Sequence, residues 1–596
     1  MTAMSASTMP ASARSEYQPS IGLLIVLAWI VIAGQMLWMD WSSTAKVLGD
    51  TDDAMRLLEV REFLAGRGWF ELHEPRLQPP MGYDTHWSRL IDAGLAGLFL
   101  LLHQFTDAAF AERLMRVIWP LLWIGPAIGG TIALTWRLGG RPAAVVVLFL
   151  LVFGLPAFIQ FKPGRIDHHD VQITLALLTL AAAVWADRVR WTPWAAGVLS
   201  ALELAIGIEG MPFIVLAGAV FAVRYLLRRA DAAALAQYGL ALAASTAIVF
   251  FATIGPDHWT GTACDSMALN FAASAAWLGL ALHIVGRFFA VEPPRVRWFA
   301  ITAVLGLAAG LFVLIEPRCL GGPLAMVDPT VRRIWLAYVT EAQPYMSTAL
   351  SDPVTGVSFA AYPIAGIVAA LVLARNANLY RDSGYIALVA ALLLSDALTV
   401  VAIRSVSYTI WIAMPFVAAA LPVLYSRLKL ASLPAMALVT LPFTPALLTS
   451  GSGMIVEAAG VPQVNRYNSE DAPCFEIENY KTLARLPAGL IVTDVDYGPF
   501  VLALTPHSVL GAPYHRLSYG ITASFRAFTA PPEAAREVLR QAKATYVMTC
   551  GVRAPPGLSN AELRNSLWTK LKAGDVPNWL ERVPDTGPFA VYRFKS

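Results

Sequence analysis

The chain is 596 residues long, 57% hydrophobic and only 14% charged, with 44 Lys and Arg against 41 Asp and Glu for a net charge of +3. With a mean hydropathy of +0.57, this composition excludes a soluble globular protein and describes a chain that spends most of its length in lipid. The small net charge, its arginines scattered in short clusters between apolar runs, also excludes nucleic acid as a partner.

Residues 1–19 are polar and rich in Ser and Ala, and read as a loose cytoplasmic N-terminus. The apolar run from Ile21 to Met39 approaches the ~20 residues a helix needs to cross a bilayer and exceeds a signal-peptide core, so it reads as a retained first helix. Further apolar runs lie at 113–136, 142–161, 170–186, 192–207, 210–226, 234–254, 267–285, 298–315, 357–374, 384–402, 407–425 and 431–449. Together they predict thirteen transmembrane helices in a polytopic α-helical domain over 20–450. The run "LIDAGLAGLFLLLHQF" at 90–105 is short and holds two glycines, so it is placed as a half-buried or re-entrant piece of the first outer loop.

Arginine and lysine fix the orientation. With the N-terminus cytoplasmic, the inner loops hold fourteen of them, whereas the short outer loops hold three, Lys162, Arg165 and Arg404. That asymmetry obeys the positive-inside rule, and counting 90–105 as a full span would invert it at every later loop. The expected location is therefore a bacterial inner (plasma) membrane, with residues 451–596 forming an extracytoplasmic domain.

This topology gathers polar segments on the outer face, in loops 40–112, 162–169 and 316–356. The first loop carries "GDTDDAMRLLEVREFLAGRG"; here Asp50, Asp52 and Asp53 could simply start a helix that Gly66 ends. The second carries "GRIDHHD", with Asp167, His168, His169 and Asp170; these could cap the next helix, yet two carboxylates and two imidazoles exceed what a cap needs. The third carries "VTEAQP" with Glu341, which alone would be an ordinary solvated glutamate. Arg404, alone, would snorkel from a helix end to the headgroups. Recurring on one face, the set suggests a metal site beside an anion site.

The first-loop aspartate, nine residues before Arg61, followed by "IDHHD" at 166–170 and "VTEAQP" at 339–344, resembles the catalytic subunit of oligosaccharyltransferase, a membrane glycosyltransferase of the GT-C class, over nearly the whole chain. The resemblance implies thirteen spans, an outer C-terminal domain and one Mn²⁺ or Mg²⁺ ion held by Asp52, Asp167, His169 and Glu341, of which Asp52, Asp167 and Glu341 are catalytic. It also implies that Arg404 contacts the donor phosphate and that Asp52 contacts the attacking acceptor atom, with inversion at the anomeric carbon. Two positions depart from the family pattern. His169 stands where most relatives have a second carboxylate, which favours Mn²⁺ over Mg²⁺. Where the family reads "WWDYG", residues 494–498 read "DVDYG": Asp496 and Tyr497 remain as acceptor-binding candidates, but both tryptophans are missing.

The outer domain reads as α/β, with strands at "GLIVTD" (489–494), "SVLGA" (508–512) and "ATYVMTC" (544–550), a short helix at 499–505 and another at "PPEAAREVLRQA" (531–542). Cys474 and Cys550 could pair or remain thiols, and no Cys-x-x-Cys spacing occurs. His507, His515 and Arg516 either stabilise a loop, the favoured reading, or line an acceptor cleft; Asp53, His168, Asp170, His515 and Arg516 complete the list of secondary site candidates.

Three functions compete: transfer of a lipid-linked glycan from a polyprenyl-(di)phosphate donor to a protein; use of a polyprenyl-phosphate monosaccharide to modify a lipid, polysaccharide or protein hydroxyl; and transport. The polar cluster lies at one face, not midplane, and no repeat halves occur, which argues against transport. The expected partners are a polyprenyl-linked sugar donor, a protein or glycan acceptor and the bilayer, engaged by a single chain.

Overall fold

The computed structural model describes residues 20–376, 379–461 and 470–595, so the expected loose segment at 1–19 lies outside the described residues. Each apolar run predicted as a span lies on helix. Among the described residues nine helices are long and apolar enough to cross a membrane, or ten if the bent pair Leu433–Phe443 and Ala446–Ala458 counts as one span. Two features separate this number from thirteen. The run at 113–136 and the first part of the run at 142–161 share one helix, Ala108–Val152, bent where Gly140 takes a φ of 63° that a side chain would oppose, and the second run ends in the separate 3-10 segment Leu155–Phe161. The runs at 170–186 and 192–207 form His169–Trp185 and Thr192–Ile206, of 17 and 15 residues. At 1.5 Å per residue these rise about 25 Å or less, short of a hydrocarbon core of about 30 Å.

Nearly every side chain of His169–Trp185 is enclosed by its surroundings. The largest core joins it to Ala108–Val152 and Val406–Arg427. At its centre the indole of Trp411 packs edge-on against Phe158, 5.2 Å away, and donates to the carbonyl of Ala157 at 2.9 Å.

The first outer loop contains two helices. Thr51–Leu64 begins at the Asp50 cap and ends before Gly66, whose φ is 102°. Arg89–His103, the short run of the sequence, is amphipathic and buries Ile91, Asp92 and Leu95 while leaving Leu100 and Leu101 exposed. Beneath it Arg56 bridges Asp92 at 2.8 Å and lies 4.6 Å over the Trp87 ring. A buried guanidinium paired in this way braces the loop without facing solvent.

The outer domain is a five-stranded sheet in the order Ser508–Val509, Leu490–Val492, Tyr546–Thr549, Ala590–Phe594, Leu580–Arg582. The first three strands run parallel and the last two pair antiparallel. The expected strands and the helices Gly498–Leu504 and Pro532–Gln541 are present; the final two strands have no counterpart in the sequence reading. The helical region continues through Gly451–Ala458 before this domain begins. Cys474 pairs with Cys550, and Cys264 with Cys319, so all four cysteines are oxidised.

The first outer loop is bound to this domain. Gln78 N–H donates to the Val509 carbonyl at 2.8 Å, Val509 N–H to the Arg76 carbonyl at 2.9 Å, and the Tyr514 hydroxyl to the Thr51 carbonyl at 3.0 Å. Leu57, Leu58 and Trp87 share one hydrophobic core with Phe500, Val501 and Leu517. Arg61 grips Glu112 with two bonds, at 2.7 and 2.8 Å, and donates to the Ala503 carbonyl, which makes it a brace rather than a cavity group.

Candidate active site

A cavity of about 820 Å³ lies between one end of the helical region and the C-terminal sheet domain, the expected outer domain. Asp52, His168, His169, Glu209, Glu341 and Arg404 line the membrane side, and Asp494, Asp496, Tyr497 and His515 line the domain side.

Local structure sorts the three first-loop aspartates. The Asp50 carboxylate accepts from the N–H groups of Asp52 and Asp53, at 3.0 and 3.2 Å, and Asp53 returns a bond from the Asp50 N–H at 3.0 Å. This is a capping box built from two aspartates. Asp53 is 1% exposed, and its other oxygen accepts from the N–H groups of Ile166 and Asp167 at 2.7 and 3.1 Å. Asp53 therefore clamps the second loop to the first and does not line the cavity. Asp52, left out of the cap, does line it.

The second loop places Asp167 where Asp53 holds its backbone. Asp167 pairs with the His168 ring, and its second oxygen lies 3.3 Å from His169 Nε2 and 3.8 Å from Arg165. That second oxygen is buried without a hydrogen-bond partner. Asp167, His168 and His169 each offer a ligand atom within 4.8 Å of the others. Asp52 and Glu341 stand outside this tight group, on the cavity wall; Glu341 occupies the exposed turn Thr340–Ala342. The Ile403 N–H donates to the Gln343 carbonyl at 2.9 Å, tying that turn to Arg404. Asp170 is buried, accepts from the Val171 N–H and does not line the cavity.

Glu209 is the residue that sequence reasoning missed. It lies 3.3 Å from His169 Nδ1 and 2.7 Å from Arg404 Nη1, linking the histidine to the arginine. Its only signal in the sequence is a lone carboxylate in "GIEG" between two apolar runs.

The electrostatics follow from crowding. Burial, then the charges of Asp167, Asp50 and Glu341, push the Asp52 carboxyl well above its usual range. Burial acts the same way on Asp167, but His168 and His169 outweigh it and hold that carboxyl well below. An orphaned carboxylate oxygen beside two imidazoles, with the carboxylates of Asp52 and Glu341 on the same side of the cavity, fits a divalent cation of the Mn or Zn type.

Across the cavity, Asp494 caps the turn Val495–Tyr497 by accepting from the Asp496 N–H at 3.0 Å. Asp496 is engaged by Arg553 at 2.5 Å, and the Tyr497 ring is buried 5.3 Å from Phe475. His507 is fully buried, accepting from the Gly489 N–H at one ring nitrogen and facing the Leu483 carbonyl at the other, a loop-stabilising role. His515 and Arg516 both hold Asp265, at 2.5 and 2.6 Å; His515 lines the cavity and Arg516 does not.

The archaeal oligosaccharyltransferase AglB of Archaeoglobus fulgidus, solved with an inhibitory peptide and a dolichol-phosphate, superposes with a TM-score of 0.65 at 16% identity, over 89% of this chain and 69% of that one. The chain has the oligosaccharyltransferase fold. The same Archaeoglobus fulgidus enzyme solved with Zn and sulfate gives a TM-score of 0.57 at 16% identity, over 89% of this chain and 68% of that one. In sequence, a polyprenol-phosphate-mannose-dependent α-(1-2)-phosphatidylinositol mannoside mannosyltransferase of Mycolicibacterium smegmatis is 29% identical over 353 residues, 54% of this chain and 71% of that protein. No family model matches. In this oligosaccharyltransferase fold, a GT-C membrane architecture, the cavity described above opens at the seam between helices and outer domain.

Proposed function

We propose that the protein is a membrane glycosyltransferase that moves a glycan from a polyprenyl-(di)phosphate donor to an acceptor on the outer face. The observation that carries this reading is the cavity itself: a carboxylate and imidazole group with an arginine on the membrane side, facing Asp494, Asp496, Tyr497 and His515 of the C-terminal domain. Arg404, steadied by Glu209, is suited to grip phosphate oxygens at the membrane edge. Asp52, outside the cap, is placed to orient and deprotonate the attacking acceptor atom, so that the sugar inverts without a covalent intermediate. Asp167, His169, Asp52 and Glu341 would hold a divalent cation, Mn²⁺ being favoured over Mg²⁺ by the histidine, which as a Lewis acid neutralises charge on the departing phosphate.

We place the protein in the membrane with thirteen spans, the N-terminus cytoplasmic and the C-terminal sheet domain outside; two disulfides in the outer segments support an oxidising compartment there. A second reading, use of a polyprenyl-phosphate monosaccharide on a lipid or polysaccharide hydroxyl, is favoured by two observations. Asp494 and Val495 replace the tryptophans of the acceptor motif, and Arg553 occupies Asp496, so little remains to select an Asn-x-Ser/Thr acceptor.

The experiment supplies purified protein with either a polyprenyl-phosphate mannose or a polyprenyl-diphosphate oligosaccharide, and with either an Asn-x-Thr peptide or a phosphatidylinositol mannoside. Transfer from the oligosaccharide to the peptide supports the first reading, and from the mannose donor to the lipid the second. Transfer in neither pair, or transfer that survives Asp167→Asn, sinks the assignment.

A further inference from the structure

The described residues hold one other group of metal-type ligands besides that of the second loop: His86, Asp265 and His515, each offering an atom within 4.8 Å of the others. They come from three distant segments: the first outer loop, the outer loop between two membrane helices, and the outer domain. All three line the wall of the large cavity.

Each is held from behind. His86 Nδ1 lies 3.2 Å from the Tyr83 hydroxyl, which steadies the ring, and its ring centre is 4.9 Å from that of His515. Asp265 follows Cys264, anchored by its disulfide to Cys319. Arg516 donates to both Asp265 oxygens, at 2.6 and 2.7 Å, and to Ser266 at 3.0 Å, and the oxygen that accepts from its Nε also lies 2.5 Å from His515 Nε2, so the guanidinium fixes the carboxylate against the His515 ring. A ligating carboxylate is ordinarily oriented by such a partner. His515 is carried by the segment in which Tyr514 bonds the Thr51 carbonyl, so its backbone is fixed against the helix that bears Asp52. Two imidazoles and one carboxylate are a three-ligand set for zinc-class ions, with a fourth position left for water or a substrate oxygen.

We propose that His86, Asp265 and His515 bind a zinc-class divalent cation that joins the outer domain to two outer loops of the membrane domain at the cavity wall. The site is separate from the second-loop group and does not rest on the glycosyltransferase reading.

The test uses the full chain in detergent, chelator-stripped, in an Asp167→Asn plus His169→Asn background that disables the second-loop group. Zn²⁺ is then added, and the bound metal counted by mass spectrometry. The background protein should retain one Zn²⁺ equivalent and gain thermal stability with Zn²⁺. Adding His86→Gln and His515→Gln should abolish both. Asp265→Asn, a milder change, should weaken Zn²⁺ binding at least about tenfold. Failure of the background protein to bind Zn²⁺, or Zn²⁺ binding that is indifferent to Asp265→Asn and to the two glutamines, overturns the proposal and leaves the cluster an ion pair alone. Loss of transfer activity without change in this equivalent would concern only the second-loop site.

Discussion

Asp52 and Asp53 are adjacent, chemically identical and differently employed. Asp53 accepts bonds from three backbone N–H groups and lies 3.4 Å from Arg165, whereas Asp52 points into the cavity. Asp53→Asn substitutes a donor for an acceptor at a site where only donors arrive, so the protein should lose about 1–3 kcal/mol of stability. Asp52→Asn leaves the cap intact and should lower transfer by about 10²-fold or more while moving the unfolding temperature little. Thermal unfolding and a transfer assay on both variants check this contrast. Equal destabilisation would return Asp52 to the capping role.

At the scale of one element, the turn at 494–498 behaves as an electrostatic unit. Burial, then the charge of Asp496, raises the Asp494 carboxyl to about 6. The ordinary value is about 3.9. A carboxyl raised in the folded state keeps its proton where the unfolded chain has lost it, so stability falls as pH rises between these two values and stays reduced above them. Asparagine keeps the oxygen that accepts from the Asp496 N–H but cannot ionise. Asp494→Asn should therefore raise the unfolding temperature at about pH 7.5 and leave it unchanged at about pH 3.5. A stabilisation equal at both would show that the effect is not ionisation. The same turn shows why the missing tryptophans matter: Asp494 supports the local fold, and an indole in its place would lose that cap.

For the molecule as a whole, the outer domain and first loop form one body, since Leu57 and Trp87 pack in the core that holds Phe500 and Val501. The disulfide Cys474–Cys550 closes a stretch of 76 residues within that body. Replacing both cysteines by serine should cost about 2–4 kcal/mol, read as a lower unfolding temperature of the full chain under oxidising conditions and no difference under reducing ones. Because cavity walls come from both parts, the same loss of order should weaken donor and acceptor use together.

The sequence alone determined what depends on local composition. Apolar length marked the helices, cap and glycine chemistry marked Thr51–Leu64, and the alternation of strand and helix residues marked the parallel half of the outer sheet. It also picked out the polar loops, because charge beside apolar runs is costly unless used. Tertiary structure decided which members of those loops face one another. The spacing of Asp50 and Asp53 marks a capping box that leaves Asp52 out, but only the arrival of the Ile166–Asp167 backbone buries Asp53 and leaves Asp52 on the cavity wall. Glu209 is unremarked in sequence because its role consists of two partners, His169 and Arg404, brought together by helix packing. The convergence of His86, Asp265 and His515 is likewise invisible until three segments fold against each other. Helix length obeyed the same division: hydropathy sums apolar residues, but only the fold shows that His169–Trp185 and Thr192–Ile206 stop at 17 and 15 residues, most of them buried.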